Sequence, residues 1–302
     1  MGSVKAWVSA FRLRTLPLAL SSIIMGSFLA AHEGNFKFII CLLAILTTIF
    51  LQILSNLAND YGDSQNGADS VFRKGPQRAV QSGAISPEAM KKGMYLFGSL
   101  SFITGIILLA NAISFTAFGT FGFFMLLGIL SIVAAIKYTA GKNPYGYAGL
   151  GDISVFLFFG LVGVGGCYYL HTHTLDYKII LPAFSCGFFS AAVLNINNIR
   201  DIESDKLAGK YSIPVRIGMG KAKIYHWFLL IGGCASATGY ILLNENQSLT
   251  RWLFVLSFPL ILFTGIKVTK ENVSEKIDPQ LKLMALSTLA FVILFGLGLL
   301  LS

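Results

Sequence analysis

Long apolar runs separated by short polar segments repeat along the whole chain. Nine of them are long enough to cross a bilayer: roughly 16 to 31, 37 to 57, 92 to 110, 114 to 136, 150 to 170, 178 to 196, 224 to 243, 252 to 268 and 282 to 301. The pattern predicts one all-α polytopic membrane domain over residues 1–302, with nine transmembrane helices. Three of the polar connections are short: Asn111 to Ile113, His171 to Tyr177 and Asn244 to Arg251. Two are long, about 58 to 91 and 197 to 223, and these follow the second and the sixth runs. A long connection after every fourth run predicts two four-helix halves, about 10–148 and 149–270, plus a terminal helix at about 282–301.

Basic residues divide the connections in the same way. With the N-terminus inside, every Lys and Arg except Lys37, Lys178 and Arg251 falls on the inner side, as the charge rule for short loops requires. The expectation is an integral protein of a bacterial-type inner (plasma) membrane, with its N-terminus and both long connections cytoplasmic. The short run after the basic N-terminus resembles a secretory leader superficially, but the charge pattern needs that span to be retained.

Composition sharpens this without changing it. The chain is 55% hydrophobic and 12% charged, and a soluble domain would carry about twice that charge. The net charge of +9 follows from the topology rule and suits anionic headgroups or an anionic substrate, not a nucleic acid. Cys41, Cys167, Cys186 and Cys234 each sit in an apolar run with no paired spacing, which points to single buried thiols. His171 and His173 lie on the opposite face from the acids and are read as a surface turn.

The chemistry lies where the two long connections begin. The first starts Asn56-x-x-x-Asp60-x-x-Asp63, the second Asn197-x-x-x-Asp201-x-x-x-Asp205. If each helix continues through its cluster, each set falls on one helical face. Two carboxylate faces at one end of a membrane bundle are costly unless a divalent cation is held between them. Few ligands, all of them oxygen, suit magnesium, which keeps water and binds substrate phosphates. A diphosphate fits beyond the metal, with Arg78, Lys142, Arg200 and Lys210 as further donors. A third inner segment, Tyr138 to Asp152, carries Gly141 and Pro144, which should end the preceding helix.

These motifs resemble the UbiA-type intramembrane aromatic prenyltransferases over nearly the whole chain. More narrowly, Asn59-Asp60-Tyr-Gly-Asp63 with Asp69, Tyr138-Thr-x-Gly, Tyr147-x-Gly-Leu-Gly151-Asp152, Asn198-Ile-Arg200-Asp201-x-Glu203-x-Asp205 and Arg14-Thr-Leu-Pro17 are similar to the 1,4-dihydroxy-2-naphthoate polyprenyltransferase branch. The 4-hydroxybenzoate branch usually places a third acid where this chain has Gly67, which leaves the role of Asp69 open. The resemblance implies two magnesium ions held by Asn56, Asp60, Asp63, Asp201 and Asp205. It also implies diphosphate contacts from Tyr138, Lys142 and Arg78, and places Asp152 near the acceptor as orienting group or base, with a cap on the fifth helix as the alternative. The implied partners are a polyprenyl diphosphate, an aromatic acceptor and the lipid bilayer, with no nucleic acid and an undetermined oligomeric state. The implied product is demethylmenaquinone, with loss of CO2 and diphosphate. Other acceptors (4-hydroxybenzoate, homogentisate, chlorophyllide, a glycerol lipid) and, from another class, a secondary transporter are the alternatives.

Overall fold

The computed structural model describes residues 2–67, 77–114, 116–244 and 248–302, with the side chain of residue 275 apart. Asp69 and the expected turn at Gly75-Pro76 lie outside the described residues. Among those described, every regular element is helical.

The chain opens with a short amphipathic helix, α1 (Val4–Phe11), whose first turn is capped by Ser3 Oγ accepting from the Ala6 N–H. Arg12 then adopts a left-handed backbone, φ 48°, and a single 3-10 turn (Leu13–Thr15) leads into α2 (Leu16–His32). The following helices are α3 (Phe38–Gln65), α4 (Pro87–Ala112), α5 (Phe118–Lys137), α6 (Gly151–Thr172) and α7 (Ile180–Arg200). After the short α8 (Ile202–Leu207) come α9 (Ile213–Leu242), α10 (Leu249–Lys270) and α11 (Ser274–Leu300).

Eight helical stretches among the described residues are long and apolar enough to cross a bilayer, so the protein is an integral membrane protein. The expected seventh run, 224 to 243, is helical within α9, which is not one of the eight because His226, Trp227 and Tyr240 dilute its apolar character. That helix is interrupted at Gly218, whose φ of 77° and ψ of 161° lie where a side chain is strained. The middle of α6, Phe156–Gly165, is wound as a π-helix, a wider coil that helices adopt locally around functional sites.

Helix ends depart from the apolar runs in ways that matter for the site. Apolar character fades near residue 57, yet α3 continues to Gln65 and carries its acids on a regular helix. On the other side α7 stops at Arg200, and Asp201 is its cap, with φ −102° and ψ 14°. The Asp205 N–H still bonds the Asp201 carbonyl at 2.8 Å, so the helical path resumes at once in α8. The helix before the third inner segment ends at Lys137, ahead of the expected stop at Gly141.

The main core surrounds α7, which packs against α6, α9 and α11. Phe189 meets Phe291 edge-on at 5.1 Å, and Phe254 meets Phe295 at 5.3 Å, so aromatic contacts join α7, α10 and α11. Burial of α7 leaves hydroxyls to satisfy: Ser185 Oγ donates to the Gly233 carbonyl at 2.9 Å, tying α7 to α9. In contrast, α5 buries none of its residues. All four cysteines are free thiols. His171 departs from the expected surface turn: α6 remains helical through Thr172, so the ring is buried, stacked on Phe36, and bonded to Ser27 Oγ at 3.3 Å and the Lys37 N–H at 3.1 Å.

Candidate active site at the acidic end of the bundle

The regular helix of α3 turns Asn56, Asp60 and Asp63 inward, and all three are buried. Their partners differ. Asn56 Nδ2 donates to the Phe11 carbonyl at 2.9 Å and to Thr15 Oγ1 at 3.1 Å, which pins the elbow between α1 and α2 onto α3. Asp60 accepts the backbone N–H groups of Ala79 at 3.0 Å and Val80 at 3.1 Å, one on each oxygen. Asp63 is ion-paired with Arg78 and accepts the Tyr147 hydroxyl at 2.8 Å. Arg78 also donates to the Asn59 carbonyl at 2.5 Å.

The end of α3 carries the third inner segment with it. Thr139 Oγ1 donates to the Ala58 carbonyl and to Asn59 Oδ1, both at 3.1 Å, and Asn66 Nδ2 donates to the Thr139 carbonyl at 2.8 Å. Gly62 permits this approach, because a Cβ there would stand 2.5 Å from Thr139 backbone atoms.

At the second cluster, Arg200 clamps Asp201 through two donors, at 2.9 and 2.5 Å, and also pairs with Asp278 on α11 and with Asn197 Oδ1 at 2.8 Å. Lys210 places its ammonium 3.2 and 3.1 Å from the two oxygens of Asp205. This loop is latched to the third segment: the Tyr211 N–H bonds the Tyr147 carbonyl at 2.9 Å, and Arg216 donates to the Ala148 carbonyl at 2.8 Å. Tyr147 therefore touches both halves of the site, with its hydroxyl on Asp63 and its carbonyl on the Lys210 loop.

Electrostatics show the two clusters sharing one volume. Burial raises the Asp205 carboxyl to about 6; Asp201 and Asp63 push the same way, and Lys210 opposes them without prevailing. Burial lowers Lys210, yet the attraction of Asp205, Asp63 and Asp201 outweighs it and holds the ammonium above its ordinary value. The Tyr147 and Tyr138 hydroxyls are both raised, first by burial and then by carboxylates: Asp63 for Tyr147, Asp152 for Tyr138.

A cavity of about 440 Å³ opens from this end into the bundle. Asn56, Asp63, Arg78, Tyr138 and Lys210 line its mouth; Thr47, Gly105, Gly128 and Phe124 line its depth. Along α3 the lining runs from Asp63 to Ala44, about 28 Å at the helical rise. A second recess of about 340 Å³ lies beneath α1 and is lined by Asp60, Arg12, Arg14 and Arg78.

Other residues singled out from the sequence stand apart from the main cavity. Asp201 and Arg200 are occupied with each other behind the mouth. Lys142 is exposed on the turn after Gly141. Asp152 is buried in the first turn of α6, where it accepts the Tyr225 hydroxyl at 3.2 Å. Two functional positions were not foreseen. Tyr147 stood within a recognised motif but without a role, and Asp278 is a single acid at the start of an apolar helix, with no pattern to mark it.

The donor set suits a hard cation: carboxylates from both clusters and no thiol or imidazole among them. In this structure each carboxylate instead meets a cation or N–H group of the protein, and among the described residues no three His, Cys, Asp or Glu side chains form a cage. Arg78 and Lys210 neutralise carboxylates at the mouth.

Comparison with known proteins gives a consistent result. Residues 19–289 match the UbiA prenyltransferase family. The 1,4-dihydroxy-2-naphthoate octaprenyltransferase of Haemophilus influenzae is 47% identical over 98% of this chain and 96% of its own. The protein of the same name from Escherichia coli is 44% identical over 99% and 96%. Among solved structures, a UbiA homolog from Aeropyrum pernix superposes with a TM-score of 0.66 at 16% identity over 99% of both chains. A UbiA homolog from Archaeoglobus fulgidus bound to DMAPP and Mg2+ gives 0.60 at 19% identity, over 94% of this chain and 98% of that one.

Proposed function

The chain belongs to the UbiA prenyltransferase family, and from that premise we propose that it transfers a polyprenyl group from its diphosphate to 1,4-dihydroxy-2-naphthoate, in menaquinone synthesis. The acceptor follows from full-length relatives at 44 and 47% identity. The observation that carries the chemistry is Lys210 paired with Asp205 and held in the field of Asp63 at the mouth of an apolar cavity.

Asn56, Asp60 and Asp63 from α3, with Asp201 and Asp205 from the second cluster, would hold two magnesium ions, Asn56 through its amide oxygen while its Nδ2 fixes the elbow. Bound magnesium would supply electrostatic stabilisation of the departing diphosphate. Arg78, Lys210 and the Tyr138 hydroxyl bind the diphosphate oxygens, and Arg200 keeps Asp201 in place. Lys142 is a further diphosphate donor once the turn that carries it folds inward. The allylic C–O bond breaks with its electron pair leaving on diphosphate. The apolar cavity walls keep water from the resulting cation, and the faces of Phe158, Phe159 and Tyr145 stabilise it.

The ring carbon that bears the carboxylate then forms the new C–C bond. Carbon dioxide departs, leaving its bonding electrons to restore the aromatic ring. By this electron balance the immediate product is the hydroquinone, and demethylmenaquinone follows by a separate two-electron oxidation. Asp152, paired with Tyr225, orients the acceptor, or takes its phenolic proton during attack and returns it to the enolate oxygen left when CO2 departs.

The same reading gives the topology. α9 supplies the ninth span, the repeat halves are about 10–148 and 149–270 within one domain, and the mouth faces the cytoplasm. Support comes from α3 and α7, the second helix of each half, which both bring Asn-x-x-x-Asp to the same end, and from the basic loops there.

Membranes from expressing cells, given magnesium, a polyprenyl diphosphate and dihydroxynaphthoate, should yield a prenylated naphthoquinone identified by mass. Asp60→Ala and Asp201→Ala should each abolish it; near-normal turnover in both would refute the metal assignment.

A further inference from the structure

The acceptor in the reaction above carries a carboxylate, which must settle in a cavity with largely apolar walls. Removing that charge from water is costly unless a cation with hydrogen-bond donors receives it. Among the described residues, five cationic side chains line the two recesses: Arg12, Arg14, Arg78, Lys210 and Lys282. Arg78 and Lys210 are engaged with Asp63 and Asp205 on the diphosphate side. Arg12, at the left-handed elbow, has a partner of its own. Lys282, on α11, offers an ammonium without the planar fork that matches a carboxylate.

Arg14 shares with Arg12 and Arg78 a place in the lining of both recesses, and it is set apart by the length of its ion pair. Its ion pair, Nη1 to Asp278 Oδ2, spans 3.4 Å between side chains that are 41% and 25% exposed. That is long for a charge-assisted bond. The other oxygen of Asp278 is already held closely by Arg200, so Asp278 stays neutralised if Arg14 leaves. The elbow carrying Arg14 is fixed to the acidic helix, since Thr15 receives hydrogen bonds from Asn56 at 3.1 Å and Gln52 at 3.2 Å. Whatever Arg14 holds is therefore registered against the residues that hold the diphosphate.

We propose that Arg14 binds the carboxylate of the aromatic acceptor, exchanging its long contact with Asp278 for a two-pronged pair with the substrate. This rests on the reading that the acceptor is a hydroxynaphthoate. A planar guanidinium matches a carboxylate in a way an ammonium does not, so Arg14 both anchors the ring and fixes which edge it presents. Because the pairing stabilises the carboxylate, it favours binding over loss of CO2, and its removal should appear in acceptor KM more than in kcat.

The test is steady-state kinetics on purified protein in lipid nanodiscs, with calorimetric binding of dihydroxynaphthoate alongside. Arg14→Gln should raise acceptor KM and Kd about ten- to hundredfold, the loss expected for one charge-assisted pair, with KM for prenyl diphosphate within about twofold. Arg14→Lys should recover part of the loss. An unchanged acceptor KM, an equal rise for both substrates, or the shift appearing in Lys282→Gln instead overturns the assignment. If Arg14→Gln does not fold, Arg14→Lys decides, since a geometric role still raises acceptor KM several-fold on losing the planar fork. Wild-type protein that binds dihydroxynaphthoate tightly but never prenylates it would defeat the proposed reaction, while a weaker Kd in Arg14→Gln would still uphold the carboxylate site.

Discussion

Lys210 stands 3.1 and 3.2 Å from the two oxygens of Asp205, so one ammonium neutralises a carboxylate from the second cluster while remaining in the field of Asp63 from the first. A cation shared in this way is available to an incoming diphosphate, which offers more negative charge than either acid. Lys210→Met should therefore raise KM for prenyl diphosphate about ten- to hundredfold, by loss of one charged hydrogen bond. Acceptor KM should change little, and equal effects on both substrates would argue against the assignment.

Acid should disable the site before it unfolds the protein. Burial pushes the Asp205 carboxyl up to about 6 in the folded chain, against an ordinary value of 3.8. Between those values the folded state holds the extra proton, so stability without metal falls as pH rises through that window. Activity runs the other way, because only the ionised carboxylate can hold a cation. kcat/KM at low magnesium should drop as pH falls through about 6, and higher magnesium should move the inflection to lower pH. An inflection indifferent to magnesium would separate Asp205 from metal binding.

Gly62→Ala tests the contact that fastens the third inner segment to α3. Its new methyl would meet Thr139 backbone at 2.5 Å, and overpacking of this kind costs about 1–3 kcal/mol. A lower melting temperature together with weakened diphosphate binding is the expected outcome, since Tyr138 and Tyr147 ride on that segment. A variant as stable and active as wild type would show that the segment yields freely.

Gly128 lines the cavity, and a Cβ there meets nothing within 4 Å. Gly128→Phe should direct a ring into that space and obstruct long prenyl chains while sparing geranyl diphosphate. Competition between short and long diphosphates, read by product mass, checks it; unchanged preference would place the tail elsewhere.

Much of the site was legible because it is written in helical spacing. Asn56, Asp60 and Asp63 recur at three- and four-residue intervals, and α3 stays regular through them. The pairing of the two clusters followed from the cost of burying like charges, and Arg78 and Lys210 are found between or beside them. What the chain did not disclose depends on contacts distant in sequence. Asp60 faces N–H groups of residues 79 and 80 because the connection folds back onto α3. Lys142 is turned outward by the left-handed backbone of Gly141, φ 102°. The bonds of Asp278 to Arg14 and Arg200 cross more than 70 residues, and a lone acid in an apolar helix gives no periodicity to read.

α5 forms one wall of the chamber through Met125, Gly128 and Ile132, yet buries no residue of its own. Its outward side belongs to the acyl chains around it. Its inner side rests on α3 and α4, so the thickness and order of the lipid on its other side bear on one wall of the chamber, and exchanging that annulus for detergent should loosen this wall before the buried α7 core.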